Sequence, residues 1–407
     1  MKKMNEYCDQ KGTKKFSDKF IKYHKDSFKQ NFQGLSLCNI GFGLYKGNYD
    51  NKSRTYIQKL ITKSISSGIN LFDTARKYRN GFSEKDLGIS LARLIKKNKI
   101  TRNQIYISSK VGLINFPDNI NKKDFIETNL LKRRGIKRED IKNNLLCLSK
   151  KFINQEVDIS RKNLNIKTLD NYYIHNPEFL EGRKNNYKEF YKVFECLEEL
   201  VSKKKINAYG ISTWNGFRRF KSNDFYIDAK KIINIAKKVG GENNNFLNFQ
   251  IPLSVCMPFT KCSYIVEGQN LFDFLLSNKK NIFTSASLYE GKIISFFNLL
   301  DIIKNKNTKN SLMNNFKIKE ISLPASDNSI LQLFQTYEMY LRSKNNINLS
   351  FDKKPYLKAL DIVRSTKGVT SSLCGMENEK QLLENLNLLK KKKISPKKIT
   401  KFWSSFF

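Results

Sequence analysis

Short apolar runs alternate with amphipathic helical segments along most of this 407-residue chain, and this alternation restricts the possible folds more than any other feature. Eight runs have the length of β-strands. They span residues 36–40, 69–72, 105–109, 171–174, 206–211, 247–251, 282–286 and 369–373. The predicted helices span residues 53–66, 84–95, 148–164, 187–203, 227–238, 271–277, 355–365 and 378–391. Ser83 is the predicted N-cap of the second helix.

Repeated alternation of strands and helices is typical of parallel strands joined by right-handed crossovers. Eight such units predict an α/β fold in which the strands close into a (β/α)8 TIM barrel. A doubly wound open sheet is the alternative, but such a sheet normally has a glycine-rich turn after its first strand. Gly41 and Gly43 stand at that position without the third glycine of the dinucleotide fingerprint, which favours the barrel.

Two segments are too long for simple strand-to-helix connections, namely residues 115–143 and 294–347. In a barrel both would lie at the C-terminal rim, where loops cover the site, so we predict long rim insertions there. The predicted organisation is a basic N-terminal extension over residues 1–34, the barrel over residues 35–392, and a basic C-terminal tail over residues 393–407.

The formal net charge of +38 is compatible with binding to nucleic acid or to an anionic membrane surface. Lysine is scattered through every predicted helix, however, and forms a dense cluster only at residues 390–393 and at Lys397, Lys398 and Lys401. No recognition module or stacking-aromatic motif accompanies the charge, so the sequence gives little support for nucleic-acid binding. No stretch approaches the roughly 20 apolar residues of a membrane-spanning helix, so no membrane span is predicted.

The seven cysteines show neither metal-ligand spacing nor a paired framework. An odd number of scattered cysteines, without an apolar signal segment before them, indicates free thiols in a reducing compartment. We therefore predict a cytoplasmic location, with an organellar transit peptide left open as the alternative.

Four chemically complementary side chains stand at or just after predicted strands two, three and four: Asp73, Tyr78, Lys110 and His175. A phenol has an ordinary pKa near 10, and a nearby ammonium would favour its phenolate. Lys110 can supply that ammonium, Asp73 can hold it in place, and His175 can donate a hydrogen bond to a carbonyl oxygen. Because the ends of barrel strands meet at one rim, the four predict a site that protonates a carbonyl oxygen while a hydride reaches its carbon.

These residues and their neighbours resemble the aldo-keto reductase family. The resemblance covers roughly residues 35–392 and includes the tyrosine, lysine and histidine motifs. The matching segments are 68–75, Tyr78, Gly81, 83–84, 87–88, 108–111, 158–170, 173–177, 209–212, Gln250, 285–291 and 368–385.

The resemblance implies a TIM barrel that binds NADPH or NADH without a Rossmann fold. It implies that Tyr78 is the general acid, that Lys110 and Asp73 tune it, and that His175 orients the carbonyl. It further implies that the cofactor-binding residues are Ser212, Thr213, Gln250, Ser285, Leu288, Gly291, Gln381, Glu384 and Asn385.

The chain departs from the family pattern at three of the implied cofactor positions and at Gly375. Thr213 replaces the usual asparagine, and Ser285 replaces the aromatic residue that stacks on the nicotinamide. Gly375 and Gln381 replace a lysine and an arginine that many members place around the adenosine 2′-phosphate. Because charge-assisted hydrogen bonds are the strong ones, these losses leave the choice between NADPH and NADH open.

The sequence therefore predicts an NAD(P)H-dependent oxidoreductase that reduces the carbonyl group of a small-molecule aldehyde or ketone to an alcohol. The alternative is a non-catalytic barrel that senses the nicotinamide cofactor and regulates a partner protein. The complete set of four polar side chains favours the enzyme. Neither the identity of the substrate nor the oligomeric state follows from the sequence.

Overall fold

Eight parallel strands form a closed barrel in the computed structural model, which describes residues 7–20, 23, 26–180, 187–219, 221–262, 264–291, 293 and 354–404. Each strand pairs with its neighbours in sequence, and the eighth strand pairs with the first. The strands are β1 (Ile40–Gly43), β2 (Leu71–Asp73), β3 (Tyr106–Val111), β4 (Asn171–His175), β5 (Tyr209–Ser212), β6 (Phe246–Pro252), β7 (Asn281–Ser285) and β8 (Val369–Cys374). The predicted TIM barrel is confirmed.

A helix follows or precedes each strand on the outside of this barrel. The helices are α1 (Asn51–Ser66), α2 (Phe82–Lys96), α3 (Lys150–Leu164), α4 (Tyr187–Ser202), α5 (Ala229–Gly240), α6 (Leu271–Ser277), α7 (Pro355–Ser365) and α8 (Glu379–Leu389). Their buried faces carry apolar residues at helical spacing, such as Leu87, Leu91 and Leu94 of α2. The predicted insertion at residues 294–347 lies outside the described residues. The other predicted insertion, residues 115–143, contains short helices at Lys122–Phe125 and Ile126–Lys132. Near its end, Ile141–Lys142 pairs in antiparallel fashion with Leu146–Cys147, which follows the insertion.

Two local predictions were wrong in their details. The first apolar run, residues 36–40, is divided between two sheets, because Ser36–Cys38 pairs with Phe28–Gln30 in an antiparallel hairpin and the barrel strand begins only at Ile40. Ser83 does not cap α2. That helix begins at Phe82 after Gly81, and the Ser83 hydroxyl donates a hydrogen bond of 2.6 Å to the carbonyl oxygen of Leu44.

The N-terminal segment closes the lower end of the barrel, where the strands begin. Its Cys8, Leu35 and Leu37 pack in one buried cluster with interior residues of the barrel. The interior members of this cluster are Leu71, Tyr106, Tyr173, Phe283 and Leu373. The backbone N–H of Cys8 also donates to Asp170 Oδ1 at 2.6 Å, which ties the segment to the loop before β4.

Three asparagines join strands β4, β6 and β7 to this N-terminal segment. Asn248 Nδ2 donates to Asn171 Oδ1 at 2.6 Å, and Asn281 Nδ2 donates to Asn248 Oδ1 at 2.9 Å. The Asn281 side-chain oxygen then accepts a bond of 2.9 Å from the backbone N–H of Phe32. Buried polar groups need such partners, and this ladder supplies them to the amides of Asn248 and Asn281 and to the side-chain oxygen of Asn171.

The predicted C-terminal tail contains a helix, Pro396–Ser404, that packs on the barrel through Ile399, Phe402 and Trp403. The indole N–H of Trp403 donates to Thr366 Oγ1 at 2.8 Å. The domain boundaries at residues 34 and 392 stay a prediction. Among the described residues, none of the helices is long and apolar enough to cross a lipid bilayer.

A buried lysine at the start of β7 makes the stability of the fold depend on pH. Lys280 is 6% exposed, and burial lowers its pKa to about 8. Its folded-state pKa lies below its unfolded value, so the penalty for burying the charge is present below pH 8. This penalty is relieved as the pH rises from 8 towards the unfolded pKa.

We therefore expect the free energy of unfolding of the wild type to rise between pH 7 and pH 10, by up to about 3 kcal/mol, relative to that of Lys280→Met. Urea unfolding of both proteins at the two pH values measures the difference. Lys279→Met, at an exposed neighbour, is the control and should follow the wild type. Parallel pH profiles for all three proteins would contradict the prediction.

Candidate active site

The four residues singled out in the sequence lie together at the C-terminal rim of the barrel. Asp73 ends β2, Lys110 lies one residue before the end of β3, and His175 ends β4. Tyr78 begins the short helix Tyr78–Gly81 that follows β2. Parallel pairing of β2, β3 and β4 sets these strand ends side by side.

An ion pair between Lys110 and Asp73 forms the base of this site. Lys110 Nζ lies 2.5 Å from Asp73 Oδ2 and also donates to the carbonyl oxygen of Thr74 at 3.0 Å. Asp73 Oδ1 accepts hydrogen bonds from Ser108 Oγ at 2.7 Å and from Gln250 Nε2 at 2.9 Å. Lys110 is 1% exposed and Asp73 is 4% exposed, so the pair is buried and its charges are compensated by several partners.

The ring of Tyr78 lies between this ion pair and His175. Lys110 Nζ is 4.6 Å from the centroid of the Tyr78 ring, and the centroids of the Tyr78 and His175 rings are 5.8 Å apart in an edge-to-face arrangement. The ring of Tyr45, from the loop after β1, packs against the Tyr78 ring, with 5.0 Å between the two ring centroids. The structure therefore brings all four predicted residues together and adds Tyr45, which no sequence pattern indicated.

The sequence led us to expect a lowered pKa for Tyr78, and the structure contradicts this expectation. Burial and the negative charge of Asp73 raise the pKa of Tyr78 well above its ordinary value. Burial is the larger of these two causes, because it disfavours the charged phenolate. Tyr78 therefore keeps its proton at neutral pH.

His175 is a neutral imidazole at neutral pH. Burial lowers its pKa well below the ordinary value, and the positive charges of Lys110 and Lys77 lower it further. A neutral imidazole has one donor and one acceptor nitrogen. It can therefore donate a hydrogen bond without adding a net charge to the site.

Arg79 holds the backbone directly after Tyr78 in an unusual conformation. Arg79, Asn80 and Gly81 all have left-handed backbone angles, with φ of 48°, 53° and 82°. For residues other than glycine this conformation costs about 1–2 kcal/mol each. The Arg79 guanidinium offsets that cost with bonds of 3.0 and 2.8 Å to the carbonyl oxygen of Asn48, and it lies 3.0 Å from Asp86 Oδ2.

The residues predicted to hold the nicotinamide are joined to the ion pair of Lys110 and Asp73. Ser212 Oγ donates to Gln250 Oε1 at 2.7 Å, and Gln250 Nε2 in turn donates to Asp73. These bonds fix the orientation of the Gln250 amide, whose second N–H remains available as a donor. Ser212 has given its only hydrogen to Gln250 and therefore offers lone pairs to any further partner.

Thr213, also predicted to bind the cofactor, is engaged by the loop after β4 and by its own loop. Its hydroxyl donates to Glu178 Oε2 at 2.7 Å and accepts from the backbone N–H of Gly216 at 2.8 Å. Its single hydrogen is thus already used. No pattern in the sequence indicated the partner, Glu178.

The end of β7 and the loop that follows it carry the predicted residues Ser285, Leu288 and Gly291. Ser285 ends β7, and Gly291 ends the short helix Tyr289–Gly291. The Lys46 ammonium, from the loop after β1, donates to the carbonyl oxygen of Glu290. The loops after β1 and β7 are therefore joined.

The predicted adenine-binding residues Gln381, Glu384 and Asn385 all lie on α8, which follows β8. Gln381 Oε1 accepts from the backbone N–H of Glu377 at 2.7 Å, and Asn385 Nδ2 donates to Cys374 Sγ at 3.4 Å. Glu384 accepts hydrogen bonds from Lys354 Nζ at 2.9 Å and from the Tyr356 hydroxyl at 3.0 Å. All three are thus held by neighbouring residues.

The family model of the aldo/keto reductases matches residues 39–238, a stretch that contains Asp73, Tyr78, Lys110, His175 and Ser212. The chain belongs to the aldo-keto reductase family. The oxidoreductase class predicted from the sequence is thereby confirmed.

Solved structures of other aldo-keto reductases share the fold. The holo form of an enzyme from Bacillus halodurans is 16% identical, with a TM-score of 0.58 over 93% of this chain and 96% of that chain. A glycerol dehydrogenase from Gluconobacter oxydans is 17% identical, with a TM-score of 0.60 over 94% of each chain. An aldo/keto reductase from Klebsiella pneumoniae, in complex with NADP and acetate, is 13% identical, with a TM-score of 0.53 over 92% of this chain and 94% of that chain. No curated protein sequence matches the chain.

The buried ion pair predicts strongly non-additive effects on stability. Each single variant, Asp73→Asn or Lys110→Met, leaves one buried charge without its counter-charge. This typically lowers the free energy of unfolding by about 3–5 kcal/mol. The double variant removes both charges, so we expect it to be less destabilised than the sum of the single variants by about 2 kcal/mol or more. Chemical denaturation of the four proteins measures this difference, and additive changes would contradict it.

Proposed function

We propose that this aldo-keto reductase uses NADPH or NADH to reduce an aldehyde or a ketone to an alcohol, with Tyr78 as the general acid. The supporting observation is the placement of a protonated phenol beside a neutral imidazole and a buried ammonium, with ring contacts of 5.8 Å to His175 and 4.6 Å to Lys110 Nζ. A donor set of this kind can bind a carbonyl oxygen and give it a proton.

The side chains at the ends of β5 and β6 fit a nicotinamide cofactor. The carboxamide of nicotinamide has one carbonyl acceptor and one NH2 donor group. The free N–H of Gln250 and the lone pairs of Ser212 are complementary to these two groups. The Klebsiella pneumoniae aldo/keto reductase, solved in complex with NADP and with NADPH, supports the same cofactor here. When bound, the cofactor supplies the hydride.

The protein supplies the proton and the electrostatic environment. His175 and Tyr78 donate hydrogen bonds to the carbonyl oxygen and so stabilise the negative charge that develops there. Because an alkoxide is a stronger base than a phenolate, Tyr78 can transfer its proton even though its pKa is raised. Lys110, held by Asp73, lies close enough to stabilise the phenolate that remains.

Replacement of the acid should separate chemistry from binding. For Tyr78→Phe we expect turnover with the best carbonyl substrate to fall about 100- to 10,000-fold, the usual contribution of general acid catalysis. The dissociation constant for NADPH should change little. Steady-state kinetics on a panel of aldehydes and ketones, with a fluorescence titration of the cofactor, tests both points.

Tyr45→Phe is the matched control, because it also removes a hydroxyl from a tyrosine in this aromatic contact. We expect it to keep most of the activity. Full activity of Tyr78→Phe would refute the assignment of the acid. Tight binding of NADPH by the wild type with no turnover on the whole panel would instead favour the cofactor-sensing barrel.

The adenosine end offers a test of cofactor choice. An added Cβ at Gly375 meets no atom within 4 Å, and the backbone there requires no glycine. We expect Gly375→Lys to strengthen NADPH binding about 10-fold relative to NADH, through a charge-assisted bond to the 2′-phosphate. Gly375→Met is the control, with an unbranched side chain of similar length and no charge. Equal changes for both cofactors in both variants would show that position 375 does not contact this phosphate.

A further inference from the structure

The buried carboxylate of Glu178 connects the loop that follows His175 to the loop that follows Ser212. Glu178 lies three residues after His175, in the short helix Pro177–Phe179, and it is 0% exposed. The roles proposed for Tyr78, Lys110 and Asp73 do not explain why a carboxylate is buried at this position.

Three hydrogen bonds from the second loop converge on this carboxylate. Glu178 Oε1 accepts from the backbone N–H groups of Trp214 and Asn215 at 2.8 and 2.7 Å. Its Oε2 accepts from the Thr213 hydroxyl at 2.7 Å. Burial raises the pKa of Glu178, and these donors act in the opposite direction. Backbone N–H groups in a loop have no regular partner, so the carboxylate satisfies donors that burial would otherwise leave unpaired.

Ser212 lies immediately before this anchored segment and is held on its other sides by the barrel. Its carbonyl oxygen accepts from the backbone N–H of Asn176 at 2.7 Å, and its hydroxyl donates to Gln250. The backbone N–H of Thr213 donates to the carbonyl oxygen of Gln250 at 3.1 Å. The position of the Ser212 hydroxyl therefore depends on where residues 213–215 are fixed.

We propose that Glu178 is a positioning residue that fixes the loop after β5, so that Ser212 and Gln250 meet the carboxamide of the nicotinamide cofactor in register with His175. This inference rests on the proposed function. It assigns the Thr213 hydroxyl to the loop: Thr213 holds Glu178 and does not contact the cofactor.

Direct measurement of cofactor affinity tests the proposal in the full-length protein. We expect Glu178→Ala to raise the dissociation constant for NADPH about 10-fold or more, because three hydrogen bonds that fix the loop are lost. Glu178→Gln retains an acceptor oxygen and should have a smaller effect in the same direction. Thr213→Ser, which keeps the hydroxyl, should bind within about two-fold of the wild type. Fluorescence titration gives the constants, and circular dichroism confirms that each variant is folded.

Asp170 offers a matched control at the opposite end of the barrel. It is a fully buried carboxylate that accepts from the backbone N–H groups of Cys8 and Ile107 at 2.6 and 2.7 Å. Asp170→Asn should lower the melting temperature, as the Glu178 variants should, but leave NADPH affinity unchanged. At saturating cofactor, we expect the Glu178 variants to keep kcat within a few-fold of the wild type while KM for the cofactor rises.

Folded Glu178→Gln and Glu178→Ala proteins that bind NADPH as the wild type does would overturn the proposal. An equal loss of affinity in Asp170→Asn would also overturn it, because the effect would then be global. If Glu178→Ala does not fold, Glu178→Gln and Thr213→Ser still decide the question. A wild type that binds neither NADPH nor NADH would instead refute the proposed function, and this inference with it.

Discussion

The buried pair of Lys110 and Asp73 is the interaction on which the site depends. Two charges removed from water stabilise each other only when their geometry is good and their remaining hydrogen-bonding groups have partners. Ser108, from the neighbouring strand, and Gln250, from β6, supply partners to Asp73. Gln250 lies opposite Asp73 in the closed barrel, so one partner of the ion pair comes from the far side of the fold.

Burial is the main cause of the protonation states around this pair. It raises the pKa of the Tyr78 phenol, as the charge of Asp73 also does, and it lowers the pKa of His175, as the charge of Lys110 also does. The phenol therefore remains protonated and the imidazole of His175 remains neutral. Tyr78 and His175 are then two neutral hydrogen-bond donors beside an ion pair with no net charge. Such a site is suited to the reduction of a carbonyl group, because the negative charge that develops on the carbonyl oxygen meets donors and no other net negative charge.

The sequence predicted the barrel and the four central residues because both leave local signals. Each barrel strand is a short apolar run, and the polar residues at the ends of β2, β3 and β4 interrupt those runs at positions where a barrel collects side chains. Contacts between distant segments leave no such signal. Three examples depend on segments far apart in sequence: the division of residues 36–40 between a hairpin and the barrel, the anchoring of Cys8 by Asp170, and the hydrogen bond between Thr213 and Glu178.

Different groups of polar residues occupy the two ends of the barrel interior. Asparagines of β4, β6 and β7 bind one another and the N-terminal hairpin at the end where the strands begin, and the ion pair lies at the other end. The barrel interior also contains the buried apolar cluster formed with Leu71, Tyr106 and Phe283. Water inside the barrel would screen the attraction between Lys110 and Asp73. The N-terminal segment completes the cluster with Leu35 and Leu37, so a part of the chain far from the reacting groups helps to keep their electrostatic environment intact.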